Sequence, residues 1–277
     1  KREVMPKLLT TKQVDQFWDE GYISPFDCLS SKEALECRRK IETYEASIDG
    51  NISNYVRIKC HLAFKWLEDI AHHPKILDAV EDLIGPDILL YLSTFWFKDA
   101  NDGKFVSWHQ DSAYYGLDPH DVVTLWLAFT DATPENGCMK VLPRSHKWPD
   151  QEHEETYDKN NLLARGQTIT GLDDSSAEYM PLKAGQFSMH HERQLHASGP
   201  NLTNDRRMGI SFTFLPTRVK CLLEKRTAIL VRGNDTYHYW DYDPKPRYDL
   251  DPVCMDTIKH WISAYADPQI PQEAIRK

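Results

Sequence analysis

With 277 residues, 41% hydrophobic and 27% charged, the chain is long enough to bury a sizeable core and has an ordinary globular composition. Its formal net charge of -9, with no basic patch, excludes a general phosphate-backbone binder, so no nucleic-acid partner is expected. No apolar run approaches the ~20 residues of a bilayer-spanning helix, and the opening KREVMPKLL has no apolar signal region. No membrane partner is expected, and a cytoplasmic location is. The six cysteines (Cys28, Cys37, Cys60, Cys138, Cys221, Cys254) are scattered without a CxxC pair, which suits reduced thiols better than disulfide staples. Sequons at Asn51, Asn201 and Asn234 do not outweigh the missing signal segment.

The first eighty-odd residues read as helices. TTKQVDQFWDEGY offers Thr10 or Thr11 as N-cap, with Val14, Phe17 and Trp18 on one face. SSKEALECRRKIETYEA carries a capping-box pattern from Ser30 to Glu33. LAFKWLEDIAHH and PKILDAVEDLIG predict two more helices, the second opened by Pro74 and stopped by Gly85. Strand patterns begin at residue 87 with DILLYLSTFWFK. VVTLWLAFTDA and TPENGCMKVLP follow, with a hairpin turn predicted at Asn136-Gly137. Residues 149–178 are polar and acidic and read as an insertion over a sheet. AGQFSMHH, RQLHAS and RMGISFTFLPT predict three further strands, and DTIKHWISAYA a closing helix. Helices first and antiparallel strands after them point to an α+β or all-β barrel core, mainly β with a helical buttress.

His109 and Asp111 stand two apart in FVSWHQDSAYYG, a stretch that reads as a strand. Residues i and i+2 of a strand share a face, so the two groups would converge as a metal requires. A surface imidazole beside a solvated carboxylate is the plainer reading of that pair alone. A third ligand must come from His146, His153, His190, His191 or His196. His146 and His153 read as loop, and only one of the adjacent His190 and His191 could face a barrel interior. His196 ends an apolar segment before a Gly-Pro turn, with Arg206-Arg207 opening the next strand; spacing favours it without closing the choice. Two imidazoles and a carboxylate suit non-haem Fe(II), with catalytic zinc as the competing assignment. Arg207 favours iron, because a guanidinium can anchor the far carboxylate of a chelating 2-oxo acid.

WHQDSAYYGLDP, VVTLWLAFTDATPENGCMKVLPRSHK and AGQFSMHHERQLHASGPNLTNDRRMGIS, in that order, resemble the phytanoyl-CoA dioxygenase family over roughly residues 55–215. The resemblance implies a double-stranded β-helix (jelly-roll, cupin-like) core and an oxygenase using Fe(II), O2 and the co-substrate 2-oxoglutarate. The family pattern places an Arg eleven residues after its distal His. His196 and Arg207 are eleven apart, so the resemblance selects His196 over His190 and His191. It makes His109, Asp111 and His196 the metal-binding, catalytic set. Arg207 and Ser198 would hold the far carboxylate of 2-oxoglutarate, Trp126 and Thr94 would line its pocket, and Lys59, in RIKCHL, would lie near it. As residues alone, Ser198, Trp126, Thr94 and Lys59 read equally well as a turn residue, a core aromatic, a strand filler and a surface lysine.

The reaction implied is hydroxylation of an unactivated C–H bond, with succinate and CO2 as co-products. Family members that halogenate lack the carboxylate ligand, and Asp111 is present. Trp108, Tyr114 and Tyr115 flank the metal motif and would line the substrate's entry. NDTYHYWDYDP, residues 234–244, reads as an aromatic and acidic lid or a packing segment. The expected partner is a small-molecule substrate, a polar or zwitterionic metabolite such as an aminophosphonate, an amino acid or a natural-product intermediate. An acyl-CoA hydroxylase, a cupin-like enzyme without 2-oxoglutarate, and a non-catalytic metal-binding barrel acting as sensor or interaction domain are the alternatives. The expected organisation is one oxygenase domain. Residues 1–85 form the helical support, 86–220 the core with the 149–178 insertion, and 221–277 the C-terminal lid and helix.

Overall fold

Thr10 opens the first helix by accepting from the Gln13 amide while the Gln13 side chain reaches back to the Thr10 amide. Gly21, in the left-handed region, ends it, giving α1 (Thr11–Glu20). Ser30 and Glu33 close the predicted capping box in front of α2 (Ser31–Ile48). The helix predicted over LAFKWLEDIAHH is two pieces, α3 (Cys60–Ala63) and α4 (Lys65–Ala71), because Phe64 between them is extended. Then α5 (Pro74–Ile84) starts and stops where Pro74 and Gly85 predict. The computed structural model describes residues 5–223 and 226–265.

One strand lies inside the region read as helical. β1 (Tyr22–Asp27) carries Pro25, which cannot donate to a ladder, and accordingly takes an edge position. β2 (Ile88–Lys98) and β3 (Val106–His109) follow, then the short α6 (Ser112–Tyr115). Next come β4 (Leu117–Asp118), β5 (Val123–Ala128) and β6 (Met139–Val141). Residues 149–178 hold a small hairpin, β7 (Glu154–Glu155) and β8 (Gln167–Thr168), and run into β9 (Glu178–Tyr179). The remaining strands are β10 (Gln186–His191), β11 (His196–Ser198), β12 (Arg207–Pro216), β13 (Lys220–Cys221), β14 (Thr227–Arg232) and β15 (Asp241–Tyr242). The last helix, α7 (Pro252–Tyr265), begins four residues before the predicted Asp256; its predicted last residue, Ala266, lies outside the described residues.

The large sheet runs β1-β10-β5-β12-β2-β14-β15 and the small one β3-β11-β6-β9, antiparallel apart from β14–β15. The two make the double-stranded β-helix core. Asn136-Gly137 is not a hairpin turn. Pro134–Asn136 form a 3-10 turn and left-handed Gly137 carries the chain from β5 in the large sheet to β6 in the small one. A two-residue turn needs flanking strands that pair with each other, and these do not.

Period-two alternation decides what each strand presents. Along β12, Met208, Ile210, Phe212 and Phe214 join Phe17, Ile41, Leu77 and Val80 of the helices in one apolar core. Each such side chain contributes about 1.5–3 kcal/mol when taken out of water. Arg207, Gly209 and Ser211 alternate with them and face the small sheet. Among the described residues no helix is long and apolar enough to cross a membrane, and all six cysteines are free thiols.

Lys59 is wholly buried. Its ammonium lies 2.5 Å from Asp243 and 2.9 Å from the Thr227 carbonyl, which it donates to, clamping the C-terminal segment onto the helical layer. Burial lowers its pKa, and the Asp243 charge works against that. Lys59→Ala is expected to cost about 3–5 kcal/mol, because it strands a buried carboxylate. An unchanged urea midpoint in that variant would refute the clamp. Trp240 packs on Tyr91 at 5.3 Å and donates to the Val219 carbonyl, while Tyr237, Tyr239 and Tyr242 are exposed.

Candidate metal centre and its two chambers

β3 and β11 are neighbours, with His109 and His196 directly opposite and their rings 4.0 Å apart. Asp111 is not on the strand, which ends at His109. Its backbone is already helical (φ -62°, ψ -37°) at the entry to α6. That turn swings the carboxylate back, so that Oδ1 lies 3.5 Å from His109 Nε2 and 3.9 Å from His196 Nε2. The predicted convergence is therefore present, made by a turn instead of by strand alternation. Among the described residues this is the one such cluster, its ligand atoms all within 4.8 Å of one another.

The two imidazoles are oriented alike. His109 Nδ1 sits 2.9 Å from the Ser107 carbonyl and His196 Nδ1 2.9 Å from the Gln194 carbonyl. Carbonyls only accept, so Nδ1 carries the proton and the Nε2 lone pairs face the shared point. Burial, reinforced by the neighbouring His109 and His190, holds His196 well below the usual imidazole range, so it is neutral. Burial opposes ionisation of Asp111, but the surrounding imidazoles prevail and hold its carboxyl well below the usual carboxylate range. Two imidazoles whose Nε2 atoms face one point, with one ionised carboxylate, fit a divalent first-row cation such as Fe(II).

Beside this cluster an inner chamber of about 60 Å³ lies between the two sheets. Thr94, Trp96, Trp126 and Arg207 line it from the large sheet, Met139 and Ser198 from the small one. The Arg207 guanidinium is buried over the Trp126 ring at 5.3 Å and pairs with no carboxylate among the described residues. Burial brings its pKa down to about 10, so it stays charged at neutral pH. A buried, unpaired cation is costly, and an entering carboxylate would offset that cost. Lys98, opposite Arg207 in the ladder, donates to Ser198 Oγ at 2.6 Å. Burial and the Arg207 charge lower Lys98 to about 6, leaving Arg207 as the dominant cation.

Arg207, Ser198, Trp126 and Thr94 are thus brought together as expected. Trp96, Ser211 and Lys98 were not foreseen, and His190, weighed as a third ligand, lies in the chamber wall beside the cluster instead. Trp96 shares the inward face of Thr94 two residues on, and its Nε1 donates to Ser211 Oγ at 2.9 Å; alternation alone could have placed it. Gly209 lies under Trp126, where an added Cβ would fall 2.2 Å from Cζ2 of the indole. Gly209→Ala is therefore expected to push Trp126 into the chamber, cost about 1–3 kcal/mol of stability and weaken 2-oxoglutarate binding. Wild-type affinity in the alanine variant would contradict this.

An outer chamber of about 90 Å³ shares Thr94, Trp96, His109, Asp111 and Tyr115 with the inner one. Tyr114, Arg57, Leu162, Gln167 and Trp261 are among its other walls, so the insertion and α7 both reach it. Tyr114 and Tyr115 both line this chamber. Trp108 does not: adjacent to His109 on β3, it faces the opposite side, packs beside Leu142 and Leu195 and donates to Asp174 at 3.1 Å. Lys59 lines neither chamber, its charge being committed to Asp243. Residues 234–244 line neither chamber.

A family model described as phytanoyl-CoA dioxygenase (PhyH) matches residues 17–209. A probable alpha-ketoglutarate-dependent hypophosphite dioxygenase of Stutzerimonas stutzeri is 34% identical over 149 residues, 53% of this chain and 52% of that protein. The chain spans about half the length of the curated relatives it matches. Among solved structures, the apo form of the non-heme monooxygenase ThoJ is 31% identical with a TM-score of 0.80, covering 95% of this chain and 97% of that one. CytC3 with Fe(II) and alpha-ketoglutarate is 25% identical with a TM-score of 0.63, covering 88% and 96%.

Proposed function

The chain belongs to the phytanoyl-CoA dioxygenase family of Fe(II)/2-oxoglutarate-dependent oxygenases, and from that premise we propose that it hydroxylates an unactivated C–H bond of a small polar or zwitterionic metabolite. The observation that carries the reading is the convergence of His109, Asp111 and His196 beside a chamber whose one dominant cation, Arg207, is buried without a counter-ion among the described residues. On this reading those three side chains hold Fe(II). Arg207, with the Ser198 hydroxyl, takes the far carboxylate of 2-oxoglutarate, and Trp126 and Thr94 wall it in. When bound, Fe(II), O2 and 2-oxoglutarate supply the oxidising chemistry and yield succinate, CO2 and the hydroxylated product.

The protein's own part is placement. Lys98 keeps Ser198 turned toward the chamber by donating to its oxygen, which frees the Ser198 proton for a carboxylate. Trp96 and Trp126 exclude water around the guanidinium, which strengthens its hold on an anion. Tyr114, Tyr115 and Trp261 bound the outer chamber, where the target C–H would sit beside the metal. The small volume of that chamber, and the hypophosphite named for the Stutzerimonas relative, support a compact polar substrate over a long acyl-CoA.

Anaerobic titration with Fe(II) and 2-oxoglutarate tests the site, through the visible charge-transfer band of the chelate. Succinate release in air, screened over aminophosphonates, amino acids and acyl-CoA thioesters, tests the substrate class. Absence of both the band and any Fe(II)-dependent succinate would refute the oxygenase reading. Succinate stimulated by acyl-CoA alone would overturn the substrate class.

A further inference from the structure

His190 is buried in the wall of the inner chamber, and neither of its ring nitrogens has a hydrogen-bond partner among the described residues. Leaving a buried imidazole unsatisfied costs about 1–3 kcal/mol, so its position calls for an explanation. The ring lies 4.4 Å from that of His196, and its Nε2 is 3.7 Å from Asp111 Oδ2. Its neighbour across the β5–β10 ladder, Thr124, donates from Oγ1 to the same oxygen at 3.3 Å. The two carboxylate oxygens therefore have different company: Oδ1 faces His109 and His196, while Oδ2 faces His190 and Thr124.

Resting on the metal reading above, we infer that His190 is a positioning residue, which donates from Nε2 to Asp111 Oδ2 and so holds Asp111 as a ligand through Oδ1 alone. The present 3.7 Å is too long for a hydrogen bond. A carboxylate shift of about half an ångström closes it to ordinary hydrogen-bond range. With Oδ2 occupied by two donors, Asp111 cannot chelate through both oxygens. One coordination position is thereby kept for the two-point attachment of a 2-oxo acid and for O2. His190 is not a fourth ligand on this account, because it lies outside the cluster whose ligand atoms share one point. Partners of this kind orient metal-bound carboxylates, and their removal typically weakens metal affinity about 10–100-fold.

The test compares His190→Phe, which keeps a ring of similar size and loses both nitrogens, with His190→Gln, which keeps an N–H donor. The readout is Fe(II) affinity by anaerobic chelator competition, with no turnover involved, alongside the thermal melt of each metal-free protein. The expected result is a 10–100-fold loss in the Phe variant and recovery to within a few-fold of wild type in the Gln variant. Wild-type affinity in the Phe variant overturns the inference. Equal losses in both variants also overturn it, since that outcome marks a packing role. A loss as complete as that of His109→Ala overturns it in favour of direct ligation. Should the Phe variant fail to fold, His190→Leu replaces it in the same comparison. Failure of the oxygenase reading itself is distinguishable, because wild-type protein would then show no Fe(II)-dependent 2-oxoglutarate consumption at all.

Discussion

Replacing Arg207 with glutamine is expected to raise the 2-oxoglutarate concentration at half-saturation by roughly 30- to 3,000-fold. Truncating one partner of a buried charge pair costs about 2–5 kcal/mol, and each 1.4 kcal/mol is a factor of ten. The guanidinium is buried over Trp126 and has no carboxylate to pair with among the described residues, so the whole effect should fall on the incoming anion. The same substitution should have the opposite sign for the ligand-free fold. It removes a desolvated, unpaired cation, so the apo variant should be at least as stable as wild type in urea. An Arg207→Gln enzyme with a KM within a few-fold of wild type would show that the co-substrate is held elsewhere.

The second large effect is expected at Asp111. Asp111→Ala removes the one anionic ligand and should lower Fe(II) affinity by more than the 10–100-fold typical of losing a supporting partner. It leaves His109 and His196 facing each other across β3 and β11. Both imidazoles are set by backbone carbonyls and not by Asp111, so their orientation should survive. Turnover should fall with metal occupancy and be restored only in part by excess Fe(II). Full activity in the alanine variant at wild-type Fe(II) concentration would remove Asp111 from the metal centre.

The constellation was legible in the sequence partly by local spacing and, for its third ligand, only through the family resemblance. HxD sets two groups two positions apart, and the resemblance gives meaning to the eleven-residue step from His196 on one strand to Arg207 on the next. The alternation in β12 likewise separates helix-facing Phe212 from chamber-facing Ser211. Features set by distant partners were not legible. Lys59 meets Asp243 from 184 positions away, and nothing in RIKCHL announces that partner. β1 is a strand only because β10 pairs with it, and its own Pro25 argues against one. The error at Trp108 is of another kind, since a residue adjacent to a strand ligand must face away from it. Gln110, between the strand end at His109 and the turn at Asp111, is buried and donates to the Arg193 carbonyl.

The two chambers differ in provenance. The inner one is furnished by core strands, whereas the outer one borrows Leu162, Leu163 and Gln167 from the insertion and Trp261 from α7. Arg57, another wall of the outer chamber, ties the insertion to the segment before α3 by donating to the Leu162 carbonyl. Loops tolerate replacement far better than paired strands do. Selection can therefore retailor what enters the outer room without renegotiating the grip on co-substrate. Changes in the 149–178 segment would thus reshape the outer room while the Arg207, Trp126 and Ser198 wall of the inner one stays as it is.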